Sequence, residues 1–561
     1  MANIDITSPG ASDASLSAAI TALQVGGWKT VATTTERDAI AAGRRSVGMV
    51  VLVTATNTPY QLVGGVANSN WAPLAIDGSP KATAKRLLAR ANPQPLAPTL
   101  MASPPTVSVG TANANSLVET SRAYNAPRIL PTDSRIQVVS GKITLSGGNY
   151  APSWIDGGSA GAQMGFCYRF ATDAPQFDIA TRDLATSGFA FRVNGEWVSF
   201  TPTVPPTTSG SNIYYVKVDF GSSAFRNIDV YCLASTQIRG FNIGSGTSTN
   251  NLYKMYPFTA PAPVKVLMFG DSYTYGVGAT YPRGSIVYRI GDILGVDAIV
   301  GSGYGGSGYL NPGPSPFRTF GTRINDTTVF GAQDLVIVSG GINDKTLGEA
   351  DPAALQAAVT SFWTSLKALH PNALLVCVGP LVAPSLSTGA TTANAIKAGF
   401  NAVYDASRML YISPYDEAWS NGTGDSGQKV TAAAIVSGGS GYAVGNTLTL
   451  VPATAPGQTT YTVACTLTVS SVSGGVITGV TIANAGRYDN LIYPTNPVAV
   501  TGGAGTGATF SLTWASDATG DGNADLYIGH DRVHPNQAGH NYLSLRIGQS
   551  ILQWLLTLAT A

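Results

Sequence analysis

A serine acts as a nucleophile only when a base can take its proton, so the histidines are the natural starting point. The chain has four: His370, His530, His534 and His540. Three of them fall in GHDRVHPNQAGH (529–540), where Asp531 stands three residues before His534 and Pro535 follows it. A D-x-x-H-P loop lets the carboxylate meet the imidazole of its own loop, which fixes the ring tautomer and stabilises the imidazolium formed during catalysis. His370 also precedes a proline, but it has no Asp three residues earlier and sits at an expected helix end. Two other readings of His534 stand beside this one. It could cap the final helix, or it could bind zinc with His530 and His540. The metal motif H-E-x-x-H needs a helix and a Glu, whereas here Asp531 lies in a loop bracketed by Gly529 and Pro535, so serine chemistry ranks above zinc.

The nucleophile has more than one candidate. Gly-Asp-Ser occurs at 270–272 and again at 424–426, and G-x-S-x-G occurs once, as GGSAG at 157–161. Only Ser272 follows an apolar run, in VKVLMFGDSYTYG (264–276). A serine there sits at the C-terminal end of a buried strand, where open parallel sheets form their sites. Ser426 lies in a polar loop, and GGSAG follows SWID with no strand entering a helix, so both read as chance matches. A tetrahedral intermediate also needs hydrogen-bond donors. Asn343 stands just past the buried run LVIVS (335–339), and the glycines of VGSGYGGSGYL (300–310) can expose backbone N–H groups. Asn325-Asp326, after Arg323 in a polar loop, is a poorer case, and the glycine stretch could equally be an ordinary loop.

These residues need a frame. From 264 onward, apolar runs (VKVLMF, LVIVS, ALLVCVG at 373–379, MLYIS at 409–413) alternate with expected helices at 285–295, 351–369 and 391–407, and a last amphipathic helix covers 536–558. Runs apolar on both faces fit parallel strands covered by helices. This α/β domain is expected at 259–426 and 516–561, interrupted by a Gly/Thr/Val-rich β module at 427–515. In that module, segments around Tyr442 and Tyr488 resemble each other, which suggests two repeats. Upstream, 115–258 holds short strands between Gly, Pro and Asn clusters (RIQVVSGKITL, GFCYRFAT, GFAFRVNGEWVSF, NIYYVKVDF, RNIDVYCL), as in an antiparallel sandwich. Residues 76–114 are rich in Ala, Pro and Ser and read as a linker or stalk. Residues 1–75 form a small unit with a hairpin (GMVVLVTATNTPYQLV) closing on Trp71.

Composition bounds the rest. At 561 residues several domains are required. Charged residues make up 11% against roughly 25% in an average globular protein, and the 64 glycines favour turn-rich β structure. The net charge of +1, without a basic cluster, argues against a nucleic-acid partner. No apolar run approaches a membrane span, and MANIDITSPG has neither the basic nor the apolar region of a secretory signal. Cys167, Cys232, Cys377 and Cys465 lie far apart without metal-ligand spacing and read as core thiols.

Taken in order, Gly270-Asp271-Ser272, a glycine within 303–306, Gly341-Ile342-Asn343-Asp344 and Asp531-Arg532-Val533-His534-Pro535 resemble the four blocks of the SGNH (GDSL-type) hydrolases. The resemblance covers 264–426 and 516–558. It implies a three-layer α/β/α fold on a parallel sheet and no metal or other cofactor. It also implies Ser272 as nucleophile, His534 as base, Asp531 as its orienting partner, and an oxyanion hole from the Ser272 N–H, the Gly305 N–H (or that of Gly306) and the Asn343 amide. Tyr273 departs from the family's Leu, a change expected to alter packing and not chemistry. A β-sandwich (jelly-roll-like) before such a domain resembles two-domain carbohydrate esterases. The 1–75 unit and the Gly-rich insert resemble pieces of bacteriophage tail fibres and tailspikes. Together these resemblances imply an O-acetyl esterase acting on a bacterial capsule or O-antigen polysaccharide. It would be a homotrimer carried on the virion, joined to other tail proteins through its N-terminal domain and assembled in the host cytoplasm. The rival expectations are a non-catalytic glycan-binding tail fibre and a secreted bacterial polysaccharide esterase.

Overall fold

The computed structural model describes residues 29–560 apart from 46, 48, 56–57, 64, 74–78, 92–98, 112–128, 141–142, 147–148, 153–163, 183–187, 207–212, 234–235, 245–253, 258–263, 280–283, 297–298, 315–317, 330, 382–388, 454–459 and 491. The GGSAG stretch lies outside the described residues.

Five parallel strands form the sheet that carries the site: β1 (Val266–Gly270), β2 (Ile299–Gly303), β3 (Leu335–Ser339), β4 (Leu374–Val378) and β5 (Met409–Ile412), in the order β2-β1-β3-β4-β5. Successive strand residues point to opposite faces, and here both faces are dry. Val266, Met268, Leu335 and Ile337 enter one core with α1 (Ile286–Leu294) and α4 (Gln537–Thr560). Leu267, Phe269, Val336 and Val338 enter a second core with α2 (Pro352–Leu369) and α3 (Ala390–Asn401). The three-layer arrangement follows from that double-faced apolarity. The strand order reverses between β1 and β3, which opens a crevice beyond their C-terminal ends. Among the described residues no helix is long and apolar enough to cross a membrane.

The chain leaves this domain after Asp425 and returns at Asp517. Between them lies an eight-stranded antiparallel module whose first strand, β6 (Gln428–Ser440), and last strand, β7 (Thr506–Ser516), pair along most of their length. Tyr442 and Tyr488 are both buried in its core. Upstream, two antiparallel sheets face each other across a core that includes Tyr168, Phe170, Phe177, Phe189 and Phe241. The strand at Gln176–Arg182, central in one sheet, and that at Ile238–Gly244 beside it belong to this sandwich although their polar content hid them in the sequence. At the N-terminal side, Val50–Val53 and Thr58–Leu62 form the expected hairpin, with Trp71 in the small core beside Ile40, Met49 and Leu62.

The stretch read as a linker is not a free stalk. Ser79 caps a helix at Pro80–Leu88, accepting from the Ala82 N–H, and Pro80 occupies the first helical position. Its Ala84 and Leu87 are buried in the hydrolase core beside α1 and α4, and Arg86 pairs with Asp334 just before β3 at 2.5 Å. Farther on, Thr106–Thr111 is an edge strand of the sandwich, paired with Ile213–Asp219, so the sandwich begins earlier than 115. The Ala/Pro/Ser composition masked a capped helix whose apolar residues are few but aligned.

Candidate active site

Ser272 lies two residues past the end of β1, as the first residue of a single helical turn (Ser272–Tyr275). Asp271 caps that turn: its Oδ1 accepts from the Tyr273 N–H at 3.0 Å. Gly270 is required by contact, because a Cβ there would stand 2.2 Å from the Ser339 carbonyl oxygen and 2.4 Å from Thr274 Oγ1. The tight turn lifts Ser272 into the crevice while β1 and β3 stay in register.

The His534 loop is built from its own backbone. Asp531 Oδ1 accepts from the N–H groups of Val533 (2.9 Å) and His534 (2.8 Å), and Gly529 N–H donates to the His534 carbonyl at 2.8 Å. The other carboxylate oxygen, Oδ2, lies 2.5 Å from His534 Nδ1, and His534 Nε2 lies 2.7 Å from Ser272 Oγ. A carboxylate only accepts, so Nδ1 carries the proton and Nε2 is left to accept from the serine hydroxyl. Burial works to raise the Asp531 pKa, but the His534 hydrogen bond and charge and the two backbone N–H bonds outweigh it and hold the group below the usual carboxylate value. Ser272, His534 and Asp531, which are 262 and 3 residues apart in sequence, thus form one continuous relay.

Of the donors expected for an oxyanion, Gly305 lies beside Ser272 and Asn343 beside Asp271. Gly305 lies against Ser272, its Cβ position 3.9 Å from the serine Cβ. Gly306, at φ +75°, turns toward Pro314 instead, so of the two Gly305 is the one beside the nucleophile. The Ser272 N–H is in the first turn of its helix and has no intrahelical acceptor. Asn343 is half-buried in the short turn after β3, with Nδ2 donating to the Ser307 carbonyl at 3.0 Å and standing 3.5 Å from Asp271 Oδ2.

Three further residues support the site in ways that their sequence context did not reveal. Asp344 is buried and accepts from the N–H groups of Tyr309, Leu310 and Asn311 at 2.8–2.9 Å, which fixes the loop behind Gly305. Arg323 is buried under the sheet edge. It donates to the carbonyls of Gly270 (3.2 Å) and Ser302 (3.0 Å) and to Ser307 Oγ (3.1 Å), and pairs with Asp326 at 3.1 Å. The loop that looked like a weak site by itself ties β1, β2 and the glycine loop together. Tyr273 does more than pack: its hydroxyl donates to the Val533 carbonyl and its ring lies 5.7 Å from that of His534, so the nucleophile's turn grips the base's loop.

The other sequence candidates fall elsewhere. Ser426 Oγ accepts from Asn536 Nδ2 at 2.8 Å and anchors the start of α4's approach, away from the relay. His540 is buried, its Nδ1 accepting from the Ile286 N–H (3.2 Å) and its Nε2 donating to the Val277 carbonyl (2.9 Å). Burial holds its pKa down to about 4. With both ring nitrogens engaged, His540 has none left to ligate a metal beside His530 and His534. His370 meets Thr327 Oγ1 at 2.9 Å at the opposite end of the domain's helix α2.

A nucleophile turn after a central parallel strand and a D-x-x-H relay reaching its serine define a serine hydrolase site. Residues 268–428 match the family described as the GDSL-like Lipase/Acylhydrolase family, and the chain carries a GDSL/SGNH lipase–acylhydrolase domain, an esterase-type hydrolase. Among solved structures, it is similar to a salicylyl-acyltransferase from a tetracycline biosynthetic pathway (14% identity, 52% of this chain and 86% of that one, TM-score 0.40). It is also similar to a family two carbohydrate esterase from Cellvibrio japonicus (15% identity, 55% and 89%, TM-score 0.38) and to an acetyl xylan esterase from Butyrivibrio proteoclasticus (13%, 55% and 89%, TM-score 0.37). No curated protein sequence matches the chain.

Proposed function

We propose that this protein removes O-acetyl groups from a polysaccharide on the bacterial surface, a capsule or O-antigen, and does so as part of a phage tail. The observation that carries the chemistry is the unbroken Ser272–His534–Asp531 hydrogen-bond relay. Ser272 Oγ attacks the acetyl carbonyl as His534 Nε2 takes its proton. The Ser272 and Gly305 N–H groups and the Asn343 amide receive the negative charge on the carbonyl oxygen. The tetrahedral intermediate collapses, the acyl–oxygen bond breaks, and the sugar oxygen leaves with the proton from His534. Water, deprotonated by the same imidazole, then splits the acetyl-enzyme to acetate and free serine.

The setting supports a short acyl group on a polar substrate. Ser272 lies beside the glycine-rich loop, a Cβ at Gly305 falling 3.9 Å from the serine Cβ, and Asn343 stands near Asp271 on the next turn. A sandwich before the hydrolase domain and a β module within it give two surfaces on which a polymer can lie. The tail setting rests on the sequence resemblance of 1–75 and of the Gly-rich insert. In this reading the N-terminal unit joins other tail proteins and the chain is a homotrimer. The test is acetate release from a panel of O-acetylated capsules and O-antigens, with Ser272→Ala as control. Release from one of them by the wild type alone supports the proposal. Hydrolysis of simple aryl acetates with no release from any polysaccharide counts against it.

A further inference from the structure

The loop bearing Asp531 and His534 is held from outside the hydrolase sheet as well as from within it. Arg532 stands between Asp531 and Val533 at φ +59°, in the left-handed region that residues with a side chain avoid. Such a conformation persists where its surroundings over-determine it. Here they are the loop's own backbone, with the Arg532 N–H donating to the Gly529 carbonyl at 2.9 Å, and two carboxylates on the side chain. Arg532 Nε donates to Asp425 Oδ2 at 2.7 Å and Nη2 to Asp517 Oδ2 at 3.1 Å. The Asp425 side chain is fully buried and that of Asp517 is 9% exposed.

The position of these acids is the informative part. Asp425 lies just before β6 and Asp517 directly after β7, so together they form the stem of the inserted module. Asp517 is in turn held by two cations of the module itself, Lys429 at 2.9 Å and Arg487 at 3.6 Å. The module also touches the loop at Thr462, whose hydroxyl donates to the His530 carbonyl at 3.3 Å.

We propose that Arg532 is a positioning residue for His534, and that the folded insert, acting through its stem, is part of the frame that aims the base at Ser272. The alternative is a half-buried ion pair that serves stability alone. Against it stands the geometry: the cation is the covalent neighbour of Asp531, and its anchoring fixes the strained residue on which the D-x-x-H turn depends. The inference rests on the serine hydrolase reading above and extends it, because the insert then matters even for a substrate too small to touch it.

The test uses the full chain and a small aryl acetate, measuring kcat and KM. Competent sites are counted by exhaustive titration of Ser272 with a fluorophosphonate. Arg532→Ala is expected to titrate to full stoichiometry, yet lose about 100-fold in kcat with KM nearly unchanged, the usual effect of a misplacement of roughly 1 Å. Arg532→Lys restores at least about tenfold of that loss, since an ammonium still reaches one carboxylate. Asp517→Asn, nearly isosteric and outside the loop, lowers kcat in the same direction by several-fold, and decides the matter if Arg532→Ala does not fold. A kcat within about threefold of wild type for the folded variants overturns the proposal, as does a loss explained wholly by fewer titratable sites. A wild type that neither turns over nor titrates removes the serine hydrolase reading itself, a result distinct from either.

Discussion

Asp271 sits beside the nucleophile with 1% of its surface exposed, and burial pushes its pKa from 3.8 up to about 7. The Tyr273 N–H and the charges of His534 and Arg323 offset only part of that burial effect. The consequence for stability has a definite sign. A carboxyl that binds its proton more tightly when folded stabilises the native state fully below the unfolded pKa, and that stabilisation is lost as pH rises through the folded one. At about 1.4 kcal/mol per pKa unit, the whole loss is about 4 kcal/mol, of which about 3 kcal/mol falls between about pH 5 and about pH 8. Asp271→Asn cannot titrate, and an Asn caps a helical turn nearly as well as an Asp. The variant is therefore expected to gain on the wild type by about 3 kcal/mol across that range, or about 6–12 °C in the midpoint of a domain of this size. Calorimetry of both proteins at a series of pH values reads this directly, following the transition lost when Ser272 no longer titrates. Parallel pH profiles for wild type and Asp271→Asn refute the argument, and a variant that gains as pH falls refutes its sign.

Asn343→Ala removes one donor to the developing oxyanion and is expected to lower kcat on an aryl acetate by about a hundred- to a thousandfold with KM little changed; an unchanged kcat with a raised KM makes Asn343 a substrate-binding residue instead. Ser426→Ala deletes one hydrogen bond to Asn536, which still donates to the Leu526 carbonyl at 2.8 Å, so its esterase rate should stay within about threefold of wild type; an inactive Ser426→Ala would relocate the nucleophile. Prolonged chelation is expected to leave activity intact, since the relay needs no Lewis acid, and loss with rescue by zinc would restore the histidine-cluster reading.

The frame of the hydrolase domain was readable because its strands are apolar on both faces, a pattern that few other arrangements satisfy. The D-x-x-H-P loop was readable because its partners are three residues apart. What escaped was whatever depends on contacts distant in sequence. Arg323 and Asp344 look like any loop charges until the fold brings Gly270, Ser302 and the 309–311 amides to them. Tyr273 looked like a packing substitution, because its acceptor, the Val533 carbonyl, is 260 residues away. The helix at Pro80–Leu88 was lost in an Ala/Pro/Ser background, although Ser79 and Pro80 were start signals in plain view. The sandwich strand at Gln176–Arg182 buries Asp178 on one face and Thr181 on the other, so its apolar run is only Phe177, Ile179 and Ala180, too short to stand out.

The insert leaves and re-enters the hydrolase domain at neighbouring points, since Gln428 and Ser516 are β partners. Chain ends that lie side by side let one module be exchanged for another without disturbing the host. A different module with the same footing could therefore be grafted between 427 and 516, and a new surface would stand beside an old reaction centre. The splice points are not free, however. Asp425 and Asp517 stand just outside them. A graft that keeps both acids inherits a seated Arg532, whereas one cut a few residues wider takes away both carboxylate partners of that side chain.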